Sequence, residues 1–171
     1  AVTDRCLIGE GAEIYGEIHN SVIGPGVTIK KGAVVRDSII MRGTTIGENV
    51  TVDRSIIAEG VTVGNDVEIG IGEEAPNKFK PAVYAFGLAV IGEKSAIPAG
   101  VKIGKNTAIS GITTAEDYPN GILESGESII KDCCHADRGW FPCNRLCTEQ
   151  HDEFFHPESC SVDTVQCKIL K

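Results

Sequence analysis

Aromatic residues are scarce in this sequence, because Phe, Tyr and Trp together make up 5% of its 171 residues. An ordinary mixed core needs more of them, so we expect a fold that buries thin aliphatic layers. The sequence also lacks a run of about 18 apolar residues and a leader of charged, apolar and small residues, so neither a membrane span nor a signal peptide is visible. We therefore expect a cytoplasmic protein with no membrane partner.

The charge balance argues against nucleic acid as a partner. The formal net charge is −8, and the Lys and Arg residues are dispersed rather than clustered. The length of 171 residues indicates one domain with an appendage. Because the sequence begins at Ala1 without an initiator Met and enters a repeat almost at once, we expect a piece of a longer polypeptide.

An aliphatic residue recurs in blocks of six, six and five residues, a period of 17. Such a period indicates one short unit stacked on itself. Three strands and three corners would form a triangular coil, and each coil would pair with the next about 4.8 Å away. A flat sandwich of short strands would have turn signals about every 8 to 12 residues. In this sequence the turn signals come every five or six residues, which excludes that fold. The positions that define the period are Ile23, Ile29, Val35, Ile40, Ile46, Val52, Ile57, Val63 and Ile69.

Each hexad also predicts a left-handed corner. Three residues after the aliphatic position stands Gly, Asn or Asp, the residues that adopt a positive φ at low cost. Lys94 occupies this position after Ile91, where a lysine would be mildly strained, and such strain sometimes marks a functional residue. The ten regular corners are Gly11, Gly26, Gly32, Gly43, Asn49, Gly60, Asp66, Gly72, Gly100 and Asn106.

We expect an all-β fold over residues 1–131, a parallel β-helix of hexapeptide repeats with about five coils. Residues 71–90 break the period and contain two prolines and three aromatic residues, which predicts a loop excursion. An excursion of this length is usually functional or contact-forming. After the last repeat, a turn and a short strand should cap the exposed backbone of the final coil.

Residues 132–171 form a different segment, which holds six of the seven Cys and three of the four His. Cys143, Cys147, His151 and His156 suggest zinc, but only three residues separate the two ligand pairs where zinc fingers have about a dozen. Disulfides fit poorly with a cytoplasmic body. We therefore expect no metal site, and we interpret this segment as an unrelated extension that is poorly ordered or non-native.

The repeat region offers little catalytic chemistry. A hexapeptide acyltransferase is the main alternative function, and it needs a general base, for which His19 is the one histidine in the repeat. A solvated corner is the simpler interpretation of His19. A γ-class carbonic anhydrase would need three His for its metal. The Gly-rich segments GEGAE and GPGVT are followed by strand patterns rather than helices, so they do not predict phosphate loops. We expect no catalytic residue in this chain.

The amino-acid sequence of the repeats resembles one family in particular. EIYGEIHNSVIGPGVTIKKGAVVRDSIIMRGTTIGENVTVDRSII, followed by GIGEEAPN, IGEKSAIPAGVKIGKN and ISGITTAED, resembles the C-terminal domain of bacterial glucose-1-phosphate adenylyltransferase from about Ala1 to Lys131. The resemblance implies a left-handed β-helix, a handedness that the usual crossover rule does not supply. It also implies an assembly and regulatory role, in homotetramers or heterotetramers and beside an effector cleft.

The resemblance implies further partners. An N-terminal nucleotidyltransferase domain would join ATP and glucose 1-phosphate into ADP-glucose and diphosphate, using Mg²⁺, and the parts for this reaction are missing from the sequence in hand. ATP and Mg²⁺ are therefore expected in that domain, and no cofactor in this chain. A catalytically silent subunit of a heterotetramer is an alternative that this sequence does not separate from the catalytic one.

The resemblance also points to residues that would bind a phosphorylated sugar or nucleotide effector. Lys94, within GEKSAIP, matches a lysine that contributes to activator binding in plant members of the family. Arg54, within VDRSII, matches a basic position that contributes to sugar-bisphosphate regulation in enterobacterial members. Arg36 and Arg42 are weaker candidates nearby in the sequence. The alternative for Lys94 is a tolerated corner residue, and for Arg54 a solvated surface charge.

Overall fold

Nineteen short β-strands form the body of the protein in the computed structural model, which describes residues 1–131. They build three parallel sheets, which we name faces A, B and C, and each complete coil visits them in that order. The described residues contain no α-helix, only the short 3₁₀ helices Ala115–Asp117 and Pro119–Gly121. The all-β parallel β-helix that the repeat predicts is confirmed.

The strands are two to four residues long, as hexads with tight corners require. Face A contains β1 (Val2–Asp4), β4 (Glu17–His19), β7 (Val34–Arg36), β10 (Thr51–Asp53), β13 (Glu68–Ile71), β16 (Lys102–Gly104) and β18 (Ile122–Leu123). Face B contains β2 (Leu7–Ile8), β5 (Val22–Ile23), β8 (Ile39–Ile40), β11 (Ser55–Ile57), β14 (Ala89–Ile91), β17 (Thr107–Ser110) and β19 (Ser128–Ile130). Face C contains β3 (Glu13–Ile14), β6 (Thr28–Ile29), β9 (Thr45–Ile46), β12 (Thr62–Val63) and β15 (Ala96–Ile97).

The stack is longer on two faces than on the third. Faces A and B hold seven strands each and face C holds five, so five coils are complete and two further turns have strands on faces A and B only. A single bridge between Ala96 and Ile112 continues face C into the sixth turn. The expected number of about five coils is correct for the complete coils, and the last two turns extend the stack beyond it.

The strand register follows the 17-residue period. Ile23 pairs with Ile40 and Ile40 with Ile57 on face B, and the column continues to Ile91 across the excursion. The column Ile29, Ile46 and Val63 on face C is in the same register. These side chains are buried in one continuous aliphatic core. Because each coil presents the same short aliphatic residues inward, the core needs few aromatic rings.

All ten predicted corners have a left-handed backbone. Their φ angles lie between 53° and 78°. Lys94 has a φ of 54°, so it adopts the corner conformation of the Gly, Asn and Asp residues it replaces. The prediction of a strained lysine at this corner is therefore confirmed.

A ladder of buried serines lines the corner between faces A and B. Ser21 Oγ accepts the backbone N–H of Ser38 at 3.1 Å, and Ser38 Oγ accepts that of Ser55 at 3.0 Å. Each hydroxyl also donates to a carbonyl two residues earlier, so every group in the ladder has a partner. A buried hydroxyl without a partner would cost about 1–3 kcal/mol, which explains why Ser recurs with the period.

The chain leaves the stack between β13 and β14, over residues 72–88. It returns to face B at Ala89, which pairs with Ser55 and places the next coil in register. No helix within residues 1–131 is long and apolar enough to cross a membrane. The zinc and disulfide alternatives of residues 132–171, with Cys143, Cys147, His151 and His156, lie outside the described residues.

An ion pair between Asp117 and Lys131 closes the C-terminal end of the described residues. Asp117 Oδ2 accepts hydrogen bonds from Lys131 Nζ at 2.5 Å and from the backbone and hydroxyl of Thr114 at 2.7 and 3.1 Å. The exposed fractions of the Asp117 and Lys131 side chains are 11% and 7%. Burial alone raises the pKa of Asp117, but the hydrogen bonds from Lys131 and Thr114 outweigh it, so this pKa lies below its ordinary value.

Tyr118 fills the space beside this pair. Its hydroxyl lies 2.8 Å from Thr113 Oγ1, and the residue is buried. Burial raises the pKa of Tyr118 to about 12. Tyr118 is part of the hydrophobic core, and its hydroxyl is neutral at ordinary pH.

Replacing Ile46 with Asp should abolish cooperative folding. Ile46 is fully buried and paired between Ile29 and Val63, so the new carboxylate would have no polar partner. An unpaired buried charge costs several kcal/mol, on the scale of the total stability of about 5–15 kcal/mol. Thermal unfolding followed by circular dichroism measures the effect. The control Thr45→Asp, which points outward from the same strand, should unfold nearly as wild type, and normal melting of the Ile46 variant would contradict this core.

The Asp117 ion pair should make stability depend on acid. In the folded protein the pKa of Asp117 lies below 3.8. The ion pair therefore contributes its full share of the free energy of unfolding above about pH 5, and this share is lost as the pH falls through the folded pKa. Asp117→Asn leaves a buried ammonium without its partner and should lower the free energy of unfolding at pH 7 by about 3 kcal/mol. Urea unfolding at pH 7 and pH 3 tests both effects. Glu116→Gln, at an exposed neighbour, is the control, and equal acid sensitivity of Asp117→Asn and wild type would contradict the assignment.

Candidate functional site

The four predicted effector residues lie on two different edges of the prism. Arg42 and Lys94 lie on the edge between faces B and C, which we name the B–C edge. Arg36 and Arg54 lie on the edge between faces A and B, which we name the A–B edge. All four side chains are exposed. The structure therefore separates the candidates into two pairs, and it does not bring Arg54 and Lys94 onto one edge.

On the B–C edge, Lys94 stacks above Gly60 of the preceding coil. Its backbone N–H donates to the carbonyl of Glu59 at 2.8 Å. A Cβ on Gly60 would lie 3.7 Å from Lys94 Cγ, so the side chain of Lys94 extends over the glycine corner below it. Arg42 lies one coil further along the same edge, where its carbonyl accepts the N–H of Gly60 at 2.9 Å. The backbones of the two residues are about two strand spacings apart, or roughly 10 Å.

Carboxylates alternate with the cations on the B–C edge. Glu59 follows Arg42 by one period, and Glu93 directly precedes Lys94. Both glutamates are exposed, as are Arg42 and Lys94. A phosphate that approached this edge would meet two positive and two negative side chains, whose fields oppose each other. The two cations on this edge are therefore offset by two neighbouring carboxylates.

On the A–B edge, Arg54 contacts the excursion. Its Nη2 donates to the carbonyl of Phe86 at 2.6 Å, and its own backbone has a φ of 43°. A Cβ on Gly87 would lie 3.4 Å from Arg54 Cζ and would collide with the carboxylate of Glu74, so both side chains lie against this glycine. Arg54 is therefore an exposed residue that connects the coil to the loop.

Arg36 lies one position out of register with Arg54, as the 17-residue offset predicts. Its partner in the neighbouring strand is Asp53, and its partner on the other side is His19. His19 Nε2 lies 3.7 Å from Glu17 Oε2 on the outer side of face A. His19 is the last residue of β4 and 30% of its side chain is exposed, so it is a partly buried strand residue rather than the solvated corner residue that the sequence predicts.

Two buried asparagines anchor the excursion. Asn77 Nδ2 donates to the carbonyl of Asn106 at 2.7 Å, and Asn77 Oδ1 accepts the N–H groups of Phe79 and Lys80 at 2.9 and 2.8 Å. Asn106 Oδ1 accepts the N–H of Gly87 at 2.7 Å. The repeat pattern predicts Asn106 only as a corner, and Asn77 lies outside the repeat and carries no such signal. The loop is thus held by side chains of both the coil and the loop itself.

The Gly-rich segments are corners, as predicted. GEGAE is followed by β3 and GPGVT by β6, each a two-residue strand rather than a helix. The described residues contain no group of three or more His, Cys, Asp or Glu that could hold a metal.

Comparison with known proteins identifies close relatives. Residues 1–85 match the family described as GlmU-like, C-terminal hexapeptide. The glucose-1-phosphate adenylyltransferase of Lachnospira eligens is 62% identical over 131 residues, 77% of this chain and 31% of that protein. That of Thermotoga neapolitana is 58% identical over 130 residues, 76% of this chain and 31% of that protein. That of Acetivibrio thermocellus is 45% identical over 127 residues, 74% of this chain and 30% of that protein.

These matches cover only part of each relative. The chain spans about 30% of the length of the curated relatives, in their C-terminal region. Among solved structures, the acetyltransferase domain of PglB from Neisseria gonorrhoeae FA1090 aligns with 73% of this chain and 46% of its own, at a TM-score of 0.40 and 18% identity. That structural likeness is too weak to support an inference.

Proposed function

This chain is a homologue of the C-terminal region of glucose-1-phosphate adenylyltransferases, and from this we propose that it is the assembly and regulatory domain of such an enzyme. The full-length enzyme would convert ATP and glucose 1-phosphate into ADP-glucose and diphosphate, a step of glycogen synthesis in the cytoplasm. The observation that carries the proposal is the 62% identity over 131 residues. A hexapeptide fold alone would not suffice, because it serves several chemistries.

In this proposal, catalysis belongs to an N-terminal nucleotidyltransferase domain. Residues 1–131 hold no phosphate loop that opens a helix and no cluster of metal-ligating side chains. ATP and Mg²⁺ would therefore bind the N-terminal domain, and the β-helix would bind and orient that domain in a homotetramer or heterotetramer. The acyltransferase alternative gains no support from His19, whose ring lies beside Glu17 on an open face.

The B–C edge supports a regulatory contact. Lys94 keeps a left-handed backbone at a position where every regular corner has Gly, Asn or Asp. We assign its ammonium to a phosphate group of a sugar or nucleotide effector, with Arg42 on the same edge. Because Glu59 and Glu93 reduce the positive field there, the remaining cations of the effector site would come from the N-terminal domain or a second subunit.

Arg54 and Arg36 have a different role in this proposal. Arg54 uses one of its donors on the carbonyl of Phe86, so an anion at the A–B edge would compete with the excursion for the same guanidinium. Arg36 lies beside Asp53, whose carboxylate opposes an anion. An effector bound at this edge would therefore act through the position of the loop.

The proposed function is tested by the full-length protein. The reading frame that includes the sequence upstream of Ala1 should form ADP-glucose from ATP and glucose 1-phosphate in the presence of Mg²⁺, because it adds the catalytic domain. The 171-residue chain alone should form none. Product formation measured by chromatography checks both. Acetyl transfer by the chain alone, lost in a His19→Ala variant, would overturn the proposal in favour of an acyltransferase.

Lys94→Ala in the full-length enzyme should weaken activation by a phosphorylated effector and leave unactivated turnover almost unchanged. The loss of a charge-assisted contact of about 1.5–3 kcal/mol predicts roughly tenfold or more weaker effector affinity. Effector titrations of the initial rate measure it. Lys30→Ala, at an exposed lysine on a different edge, is the matched control.

The variant Lys94→Gly separates the effect of the lysine charge from the effect of the strained backbone. Lys94→Gly removes the ammonium and also relaxes the left-handed corner, so it should stabilise the enzyme while reducing its response to effector. An unchanged effector response in both variants would mean that Lys94 is only a tolerated corner residue.

A further inference from the structure

One peptide unit of the excursion, between Phe86 and Gly87, is held at both of its ends by side chains of the stack. Its carbonyl oxygen accepts a hydrogen bond from Arg54 Nη2 at 2.6 Å, and its N–H donates to Asn106 Oδ1 at 2.7 Å. The unit is trans, so it is planar and its C=O and N–H point in opposite directions. Arg54 and Asn106 therefore hold one rigid plane from opposite sides.

This peptide unit lies where the stack lacks a corner. Arg54 lies at the A–B corner between β10 and β11, and Asn106 lies at the A–B corner between β16 and β17. The excursion replaces the corner of the coil between them, from β13 to β14. Phe86 and Gly87 both have a left-handed backbone, with φ angles of 63° and 72°. The peptide unit thus connects two corners that no hydrogen-bonded strand connects.

Asn106 also binds the other end of the excursion. Its Nδ2 donates to the carbonyl of Ala75 at 2.8 Å, while its Oδ1 accepts the N–H of Gly87. The residue is buried, with 6% of its surface exposed. Glycine at this left-handed corner would have no side chain, and an ionised aspartate would have no donor for the Ala75 carbonyl. Of the residues that favour such a corner, only asparagine can hold both ends of the excursion.

The incoming half of the excursion, residues 72–80, has further anchors that do not use the Asn106 side chain. Asn77 Nδ2 donates to the backbone carbonyl of Asn106 at 2.7 Å and to Ser128 Oγ at 3.0 Å. The N–H of Lys78 donates to the carbonyl of Gly126 at 2.8 Å. These bonds would remain if the side-chain amide of Asn106 were lost.

The return half, residues 82–88, is held more weakly. Within residues 1–131 it has two hydrogen bonds from side chains of the stack, and the Phe86–Gly87 peptide unit makes both. Val83 and Phe86 already expose 64% and 78% of their surface, so opening of this half would uncover little apolar area. Opening would also release Phe86 from a left-handed backbone, which is strained for a bulky residue. The two bonds of one peptide unit therefore decide whether the return half is closed.

We propose that the Phe86–Gly87 peptide unit is a latch on the Arg54 guanidinium and that Asn106 is the positioning residue that keeps this latch closed. When the latch opens, the return half leaves Arg54 while the incoming half stays in place. Because both bonds belong to one plane, rotation of the plane breaks them together and gives two discrete states. The latch would be the contact on which a ligand of the A–B edge acts, and this consequence alone rests on the proposed function.

Arginine labelling tests the latch in the 171-residue chain. Phenylglyoxal reacts with accessible guanidinium groups, and peptide-resolved mass spectrometry gives its rate at Arg54, with the exposed Arg36 as internal reference. Asn106→Gly removes both side-chain bonds but suits the left-handed corner, so the rate ratio of Arg54 to Arg36 should rise about threefold or more. Asn49→Gly is the matched control, because Asn49 has a φ of 55° and its side chain donates to Asp66 instead of the excursion. This control should leave the ratio unchanged.

Amide hydrogen exchange tests whether the two halves separate and whether the two bonds are coupled. In Asn106→Gly the amide of Gly87 should exchange about fivefold or more faster. The amide of Lys80, which donates to Asn77 Oδ1 at 2.8 Å, should keep its rate. Arg54→Met should also quicken exchange at Gly87, because Arg54 holds the same peptide plane although it does not bond this N–H. Residue-resolved NMR measures these rates.

Each outcome supports or overturns the latch. Equal labelling of Arg54 in wild type and Asn106→Gly would overturn it, as would an equal rise of exchange at Lys80 and Gly87, which would make Asn106 a support of the whole loop. Unchanged exchange at Gly87 in Arg54→Met would remove the coupling, and this variant decides the matter if Asn106→Gly does not fold. None of these readouts needs ADP-glucose formation, so an active full-length enzyme without these effects refutes the latch alone, and an inactive one with them refutes the function alone.

Discussion

The left-handed corner is the constraint on which the rest of the structure depends. Each complete coil turns through three corners, and a residue with a positive φ lies at each of them except the corner between β3 and β4. Where the backbones of adjacent coils also approach closely, glycine is required. A Cβ on Gly70 would collide with the carbonyl oxygen of Asp53, and one on Gly16 with that of Ala33. The spacing of these small residues therefore sets the length of each strand, and strand length sets the register of the aliphatic core.

Four of the described residues other than Gly, Asn and Asp have a positive φ, namely Arg5, Arg54, Phe86 and Lys94. Lys94 lies at a left-handed corner on the B–C edge, Arg54 contacts the excursion, and Phe86 has a φ of 63° with 78% of its surface exposed. Such conformations cost of order 1–3 kcal/mol for residues other than glycine. The surrounding hydrogen bonds hold them, for example the bond from Arg54 to the Phe86 carbonyl. Strain is thus concentrated on the edges and the loop, while the aliphatic walls are regular.

The three faces of the prism have similar inward side chains but different outward side chains. The inward positions are aliphatic on all three faces and support folding, while the outward positions differ from face to face. Face C is polar and open, the B–C edge alternates cations and carboxylates, and face B is apolar outside as well as inside. A β-helix can give each wall its own surface chemistry, because each wall repeats one position of the hexad.

The 17-residue period of the sequence determined the coils, the register of Ile23, Ile40 and Ile57, and the sign of φ at the corners. It could do so because the same contacts recur at an offset of 17 residues in each repeat. The docking of the excursion was decided only by the tertiary structure. Asn77 contacts Asn106 and Ser128 across 29 and 51 residues, separations that no repeat encodes. The placement of the basic residues on two edges also needed the structure, because neighbours in sequence diverge at every corner. The sequence contains the outward aliphatic residues of face B, but only the strand pairing showed that they form one continuous row, Leu7, Val22, Ile39, Ile56, Val90 and Ala108.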